Sequence, residues 1–181
     1  MYAHYFLSSS DIEEVASPIV VAAREQIGVV TSYDNQYYAG GNPPADRGAC
    51  TDVLLRAFDR VGINLKWLVD TDIHDYKKEY KINTPDPNID ARRVLSLKKY
   101  FERHAESLTL SLDDYSERKA WDIVVFDQIP WHLRHIAIVS SKKTKSGRPY
   151  IIHNYGFWTT ENDMLSKRPT KIIGHFRMKL W

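Results

Sequence analysis

The chain has one cysteine, Cys50, in 181 residues. No disulfide can form within it, so cysteine usage does not fix a redox compartment. Strong charge is also missing. A net charge of +2 and a pI near 8.5 are too mild for a nucleic-acid binder, although they suit work near an anionic surface such as a cell wall. No apolar run approaches the roughly 20 residues of a membrane span. The opening Met1-Tyr2-Ala3-His4-Tyr5-Phe6-Leu7 lacks a basic start and is too short for a signal-peptide core. The expectation is a chain that stays in the cell as made, or one whose export signal was removed before this numbering begins. There is no Gly-x-Ser-x-Gly elbow for a serine nucleophile, no internal repeat and no low-complexity segment.

What is present is ordinary globular material. Apolar residues make up 43% and charged residues 27%, which argues against extensive disorder. The length fits one domain, residues 1–181, able to bury roughly 70% of its unfolded surface. Apolar spacing predicts a helix from about 12 to 27, with Ser8–Asp11 as caps. Pro18 inside that span offers a later start, near Ser17 with proline at N1. A second helix runs to Val61 and is closed by Gly62, and further helices are predicted over Leu65–Tyr80 and Val94–Ala105. Beyond Trp121 the period changes to short β runs: 123–126, 136–139, 150–152 and 172–176, with a hairpin connection at 142–149. Helices first and an antiparallel sheet after them is an α+β layout, with helices on one face of the sheet.

Cys50 sits where this plan places a helix start. Gly40-Gly41-Asn42-Pro43-Pro44 and Gly48 precede it, and Val53, Leu54, Ala57, Phe58 and Val61 give the amphipathic stripe after it. Unpaired N–H groups there stabilise a thiolate, lowering the thiol pKa from roughly 8.5 toward neutrality or below. The plainer alternative is a small buried apolar residue. A partner histidine has to decide. Of the seven histidines, His74 and His104 lie in polar helical stretches expected to be solvated, and His4 lies in a frayed end. His135 opens the strand at 136–139 and His153 closes the next, so a hairpin brings both to one edge of the sheet. A strand-end imidazole facing a helix-start thiol can take its proton and later protonate a leaving amine, while a third polar group orients it. Zinc on Cys50, His132, His135 and His153 is the rival chemistry, but the second thiolate or carboxylate pair of most structural sites is missing.

These motifs, in this order, resemble the NlpC-type cell-wall peptidases, a bacterial branch of the papain-like cysteine peptidases. They comprise Gly40-Gly41 ahead of Cys50, Trp121-Asp122-Ile123-Val124-Val125-Phe126, His135-Ile136-Ala137-Ile138-Val139 and Ile152-His153. More closely, residues 47–52 (Arg-Gly-Ala-Cys-Thr-Asp), 85–90 (Pro-Asp-Pro-Asn-Ile-Asp), 135–139, 152–154 and 174–177 resemble a branch described only as a domain of unknown function. The resemblance covers roughly residues 20 to 178. It implies a papain-like α+β fold with Cys50 as nucleophile, His135 as general base and acid, and His153 as orienting third member. The usual Asp-Cys-Ser-Gly becomes Ala49-Cys50-Thr51-Asp52 here, and a helical insertion at about 65–112 is absent from minimal members. Tyr37 or Tyr38, with Tyr33 as a third candidate, takes the place of the family's cleft tyrosine. The Cys50 N–H would be one oxyanion donor. Arg47 and Asp52 either pair with each other or meet a charged substrate, the ion pair being the preferred reading. Asn154 could orient His135, though His153 and Asn154 point to opposite faces of a strand. His132 and His175 read as local hydrogen-bonders.

The expected function is a cysteine hydrolase cutting an amide bond in cell-wall stem peptides through Cys50, His135 and His153, without metal or cofactor. Peptidoglycan or a peptide is the expected partner, in a periplasmic or secreted setting. A related reading is a toxin-like effector, cytoplasmic before delivery, with an immunity protein plugging its cleft. An acyltransferase or other amidase using the same pair, or a non-catalytic wall-binding module, are the alternatives.

Overall fold

Proline 18 opens the first helix at a position whose missing N–H has no intrahelical partner to lose. In the computed structural model, which describes residues 17–111, 117–128, 133–167 and 170–178, helix α1 is Pro18–Arg24, burying Ile19, Val20, Ala22 and Ala23. It stops short of the expected Ile27. Ile27 and Val29 are 42% and 53% exposed, so nothing apolar continues the buried stripe, and the chain turns away at Gly28. Residues 12–16 of the expected helix lie outside the described residues. Helix α2, Cys50–Arg60, buries Val53, Leu54, Ala57 and Phe58, and Gly62 follows it with φ 84°. Helix α3, Leu65–Tyr80, is capped by Asn64, whose side chain accepts from the Trp67 N–H at 2.9 Å. Helix α4, Val94–His104, buries Leu97, Tyr100 and Phe101.

The strands are β1 (Ser32–Tyr33), β2 (Arg47–Gly48), β3 (Glu106–Ser107), β4 (Ile123–Gln128), β5 (Leu133–Lys143), β6 (Pro149–Tyr155), β7 (Trp158–Asn162) and β8 (Thr170–Arg177). Short helix α5, Met164–Lys167, links the last two. Strands β3 to β8 form a six-stranded sheet ordered β3-β8-β4-β5-β6-β7, every pair antiparallel. Its central strands read as unbroken apolar runs because both faces are buried. Ile123, Val125, Ile136, Ile138, Ile152 and Phe176 pack on the helices. Val124, Phe126, Ala137, Val139, Ile151, Ile172 and Met164 form a smaller core on the opposite face. Helices on one face was therefore half of the layout. Strand β7 was not expected at all: Trp158-Thr159-Thr160-Glu161-Asn162 contains no apolar run.

The segment at 65–112 is tied to the cysteine loop by a buried ion pair. Arg92, in a three-residue 3₁₀ turn at Asp90–Arg92, donates to both carboxylate oxygens of Asp52 at 2.8 and 2.9 Å. Their side chains are 1% and 3% exposed. Arg92 also donates to the carbonyls of Gln36 and Asp34 at 2.5 and 3.1 Å, and its own carbonyl accepts from the Thr51 hydroxyl at 2.9 Å. Nearby, the Asn88 side chain accepts from the Gly40 N–H at 2.7 Å, and Lys66 donates to the Pro87 carbonyl at 2.6 Å. Gly41 permits that approach, since a Cβ there would lie 2.9 Å from the Pro87 carbonyl oxygen. The motif at 47–52 thus meets the 3₁₀ turn that follows residues 85–90, and Pro87 and Asn88 of that second motif hold Lys66 and Gly40.

Removing one partner of a buried ion pair strands the other charge. Arg92→Met is expected to lower unfolding free energy by about 3–5 kcal/mol, read from the urea midpoint at unchanged slope. Asp52→Asn added to it should recover part of that. A loss under about 1 kcal/mol, the range of an exposed pair, would show that the pair does not hold the loop.

Candidate active site

Cys50 is the first residue of α2. The loop before it is held in detail: the Ala49 N–H donates to Asp52 Oδ2 at 2.6 Å, and Gly48 carries no Cβ that would press on Asp52 at 3.0 Å. Parallel pairing of β1 with β2 sets Tyr33 beside Gly48, which brings the Tyr33 hydroxyl to the Cys50 thiol. The Ile136 N–H reaches the same sulfur from β5. This is one residue from His135. Strands β5 and β6 pair at Ile138–Ile152 and Val139–Ile151, with no register beyond Ile138 although both strands continue, and it is at this opening that the sulfur meets the sheet.

His135 and His153 share that end of the sheet. His135 Nε2 lies 2.8 Å from His153 Nδ1, with the rings edge-on. His153 Nε2 lies 3.3 Å from Asn162 Oδ1, which also accepts from the Met164 N–H at 2.9 Å. Tyr155 packs edge-on against His135 and stacks on His153, and Phe126 tilts against His135. Cys50 and His135 are 3% and 5% exposed, and His153 is fully buried.

Burial sets the protonation states. It pushes the Cys50 thiol up to about 11, against the opposing N–H groups of Ile136, Thr51 and Cys50 itself. The expected thiolate is therefore corrected to a neutral thiol. Helix-start N–H groups favour the anion, but loss of water around the sulfur outweighs them. Burial, then the neighbouring His153, drives His135 well below its usual range, and burial lowers His153 to about 4. The resting site holds three neutral groups.

The other candidates have different jobs. Tyr33 is the tyrosine at the thiol. Tyr37 and Tyr38 are not: the Tyr37 hydroxyl bonds Asp86 at 3.3 Å and Asn88 at 2.7 Å, and that of Tyr38 bonds Asp34 at 2.7 Å. The expected Arg47–Asp52 pair does not form. Arg47 pairs with neighbouring Asp46 at the surface, and both carboxylate oxygens of buried Asp52 are taken by Arg92. Asn154 donates to the Gly48 carbonyl at 2.6 Å; it faces the helices and braces the cysteine loop rather than His135. His74 is exposed beside Asp75, whereas His104 lies 2.9 Å from Asp72 and is not simply solvated. His175 bridges Asp122 and the Thr109 carbonyl, both at 2.9 Å. His4 and His132 lie outside the described residues. Among the described residues no group of three or more His, Cys, Asp or Glu could hold a metal; His135 and His153 aim their nitrogens at each other rather than at a common point.

Sequence reasoning missed Arg92, Tyr155 and Asn162. A signal for the last two was available. Gly156 has φ 76° in the two-residue turn between paired Tyr155 and Trp158, the kind of hairpin glycine favours, and two threonines follow.

Residues 20–178 match the model of a family described as a domain of unknown function, DUF1287. The chain belongs to that family. The Escherichia coli (strain K12) protein YijF, described as uncharacterized, is 36% identical over 167 residues, covering 88% of this chain and 80% of YijF. No solved structure matches.

Because folding holds His153 neutral, the unfolded chain takes up protons first as pH drops. This stabilisation is complete above about 6.5 and is lost as pH falls toward the folded value near 4, an effect of about 3 kcal/mol. His135 shifts in the same direction. Urea unfolding between pH 6.5 and 5 should show a stability decline that His153→Phe flattens. An equal decline in the variant would refute the assignment.

Proposed function

We propose that this chain is a papain-like, NlpC-type cysteine hydrolase that cleaves an amide bond in bacterial cell-wall stem peptides. The observations that support the proposal are Cys50 at the start of α2 with the Ile136 N–H turned to its sulfur, and the hydrogen-bonded pair of His135, next in sequence to Ile136, and His153. His135 Nε2 is engaged by His153, which leaves Nδ1 as the nitrogen for the thiol. Since thiol and imidazole are both neutral at rest, the proton moves to His135 Nδ1 as sulfur bonds the carbonyl carbon. The Cys50 N–H is an oxyanion donor at the helix start. Collapse breaks the C–N bond, and the amine leaves with the proton from His135. Water, deprotonated by His135, then attacks the thioester and releases a carboxylate, and the thiol is restored. The cell-wall substrate rests on the motif resemblance; the amide chemistry rests on the residues.

Purified peptidoglycan digested with the wild-type protein should release new amine and carboxylate termini in equal amounts. Cys50→Ala and His135→Ala should each lower that rate by about a thousandfold or more. Unchanged release with Cys50→Ala would overturn the hydrolase reading. Acyl transfer to an added amine in place of carboxylate would identify the acyltransferase alternative, and wall binding without any product the non-catalytic one.

A further inference from the structure

Strand β7 supplies a residue that determines which nitrogen of His135 is free. Asn162 Oδ1 accepts the Met164 N–H at 2.9 Å. A backbone amide only donates, so the side-chain atom at that point is the oxygen and not the NH₂ group. The same oxygen faces His153 Nε2 at 3.3 Å, and an acceptor there requires that Nε2 carry a proton. A neutral imidazole has only one, so His153 Nδ1 is a bare lone pair. Facing that lone pair at 2.8 Å, His135 Nε2 must be the donor. His135 Nδ1 is then unprotonated and able to accept. The pattern runs without a break from a main-chain N–H to the base.

We infer that Asn162 is a positioning residue that, through His153, fixes the tautomer in which His135 can act as a base toward Cys50. The inference deepens the hydrolase reading and rests on it for its consequence, but the tautomers themselves do not depend on any activity. Without the Asn162 oxygen, His153 can carry its proton on Nδ1. His135 Nε2 must then accept, which moves the His135 proton to Nδ1 and leaves no lone pair for the thiol. Met164 acts in the same series, because its N–H keeps the amide from turning its NH₂ group toward His153. The burial that keeps His153 neutral, lowering it to about 4, keeps the choice between two tautomers rather than a cation.

The first test needs no variant. Two-bond ¹H–¹⁵N correlation spectra of the uniformly labelled wild-type protein at pH 7 should show His135 and His153 both as Nε2–H tautomers. An Nδ1–H form at either residue would overturn the inference. In Asn162→Leu the His153 signal should shift toward the Nδ1–H form, with hydrolysis of peptidoglycan reduced about tenfold to a hundredfold, the range seen when outer hydrogen-bond partners are lost. A variant that keeps both tautomers yet loses rate would also overturn it, since Asn162 would then act only through packing. If both tautomers are as derived but Cys50→Ala leaves hydrolysis intact, the hydrolase reading falls and the tautomer assignment stands.

Discussion

The ion pair between Asp52 and Arg92 is the contact on which the site depends. A buried guanidinium and carboxylate lose their water and are tolerated only when geometry and further hydrogen bonds satisfy both. Here they are satisfied: Arg92 spends its remaining donors on the carbonyls of Asp34 and Gln36, and Asp52 accepts the Ala49 N–H. One pair therefore joins three segments distant in sequence: the tyrosine-bearing loop, the start of α2 and the 3₁₀ turn at Asp90–Arg92. Arg56 adds a brace, donating to the carbonyls of Pro43, Pro44 and Arg47. The segment at 65–112 thereby buttresses the loop that carries Cys50.

Opposite this rigid loop stands an interrupted sheet. Strands β5 and β6 are zipped at Ile138–Ile152 and engage other partners beyond it. Ile136 offers its N–H to sulfur, Asn154 holds the Gly48 carbonyl on the helix side, and His135 and His153 bond to each other on the other side. Alternation along β6 lets one strand serve both ends, with Asn154 bracing the nucleophile loop and its neighbour His153 supporting the base. The neutral state of thiol and imidazole is a consequence of the same enclosure. In the proposed reaction the proton moves with the attack, and charge appears only where the N–H groups around sulfur and the developing oxyanion can meet it.

Much of this was legible in the residues. Helices α2 and α3 announced themselves through Gly62 and their apolar stripes, and the apolar runs marked the central strands. The cysteine at a helix start and the two histidines on neighbouring strands were also readable, because each is a statement about local sequence. The rest was not local. Nothing near Asp52 in sequence points to a partner forty residues on, so Asp52 was matched to nearby Arg47. The direction of each tyrosine depends on the β1–β2 pairing, which two-residue strands do not advertise. Strand β7 escaped because even its buried residue, Thr159, is polar, and Asn162 went with it. The thiol's ionisation was misjudged because helix-start N–H groups can be counted from sequence, whereas burial of the sulfur has to be seen.

The most direct measurement is intact-protein mass spectrometry of the wild-type protein quenched with acid during turnover of purified stem-peptide fragments, followed by peptide mapping. The account predicts an acyl adduct equal in mass to the carbonyl-side fragment, on the peptide containing Cys50 and labile to hydroxylamine as a thioester is. Turnover with Cys50 unmodified, or an adduct carried on another residue, would contradict it.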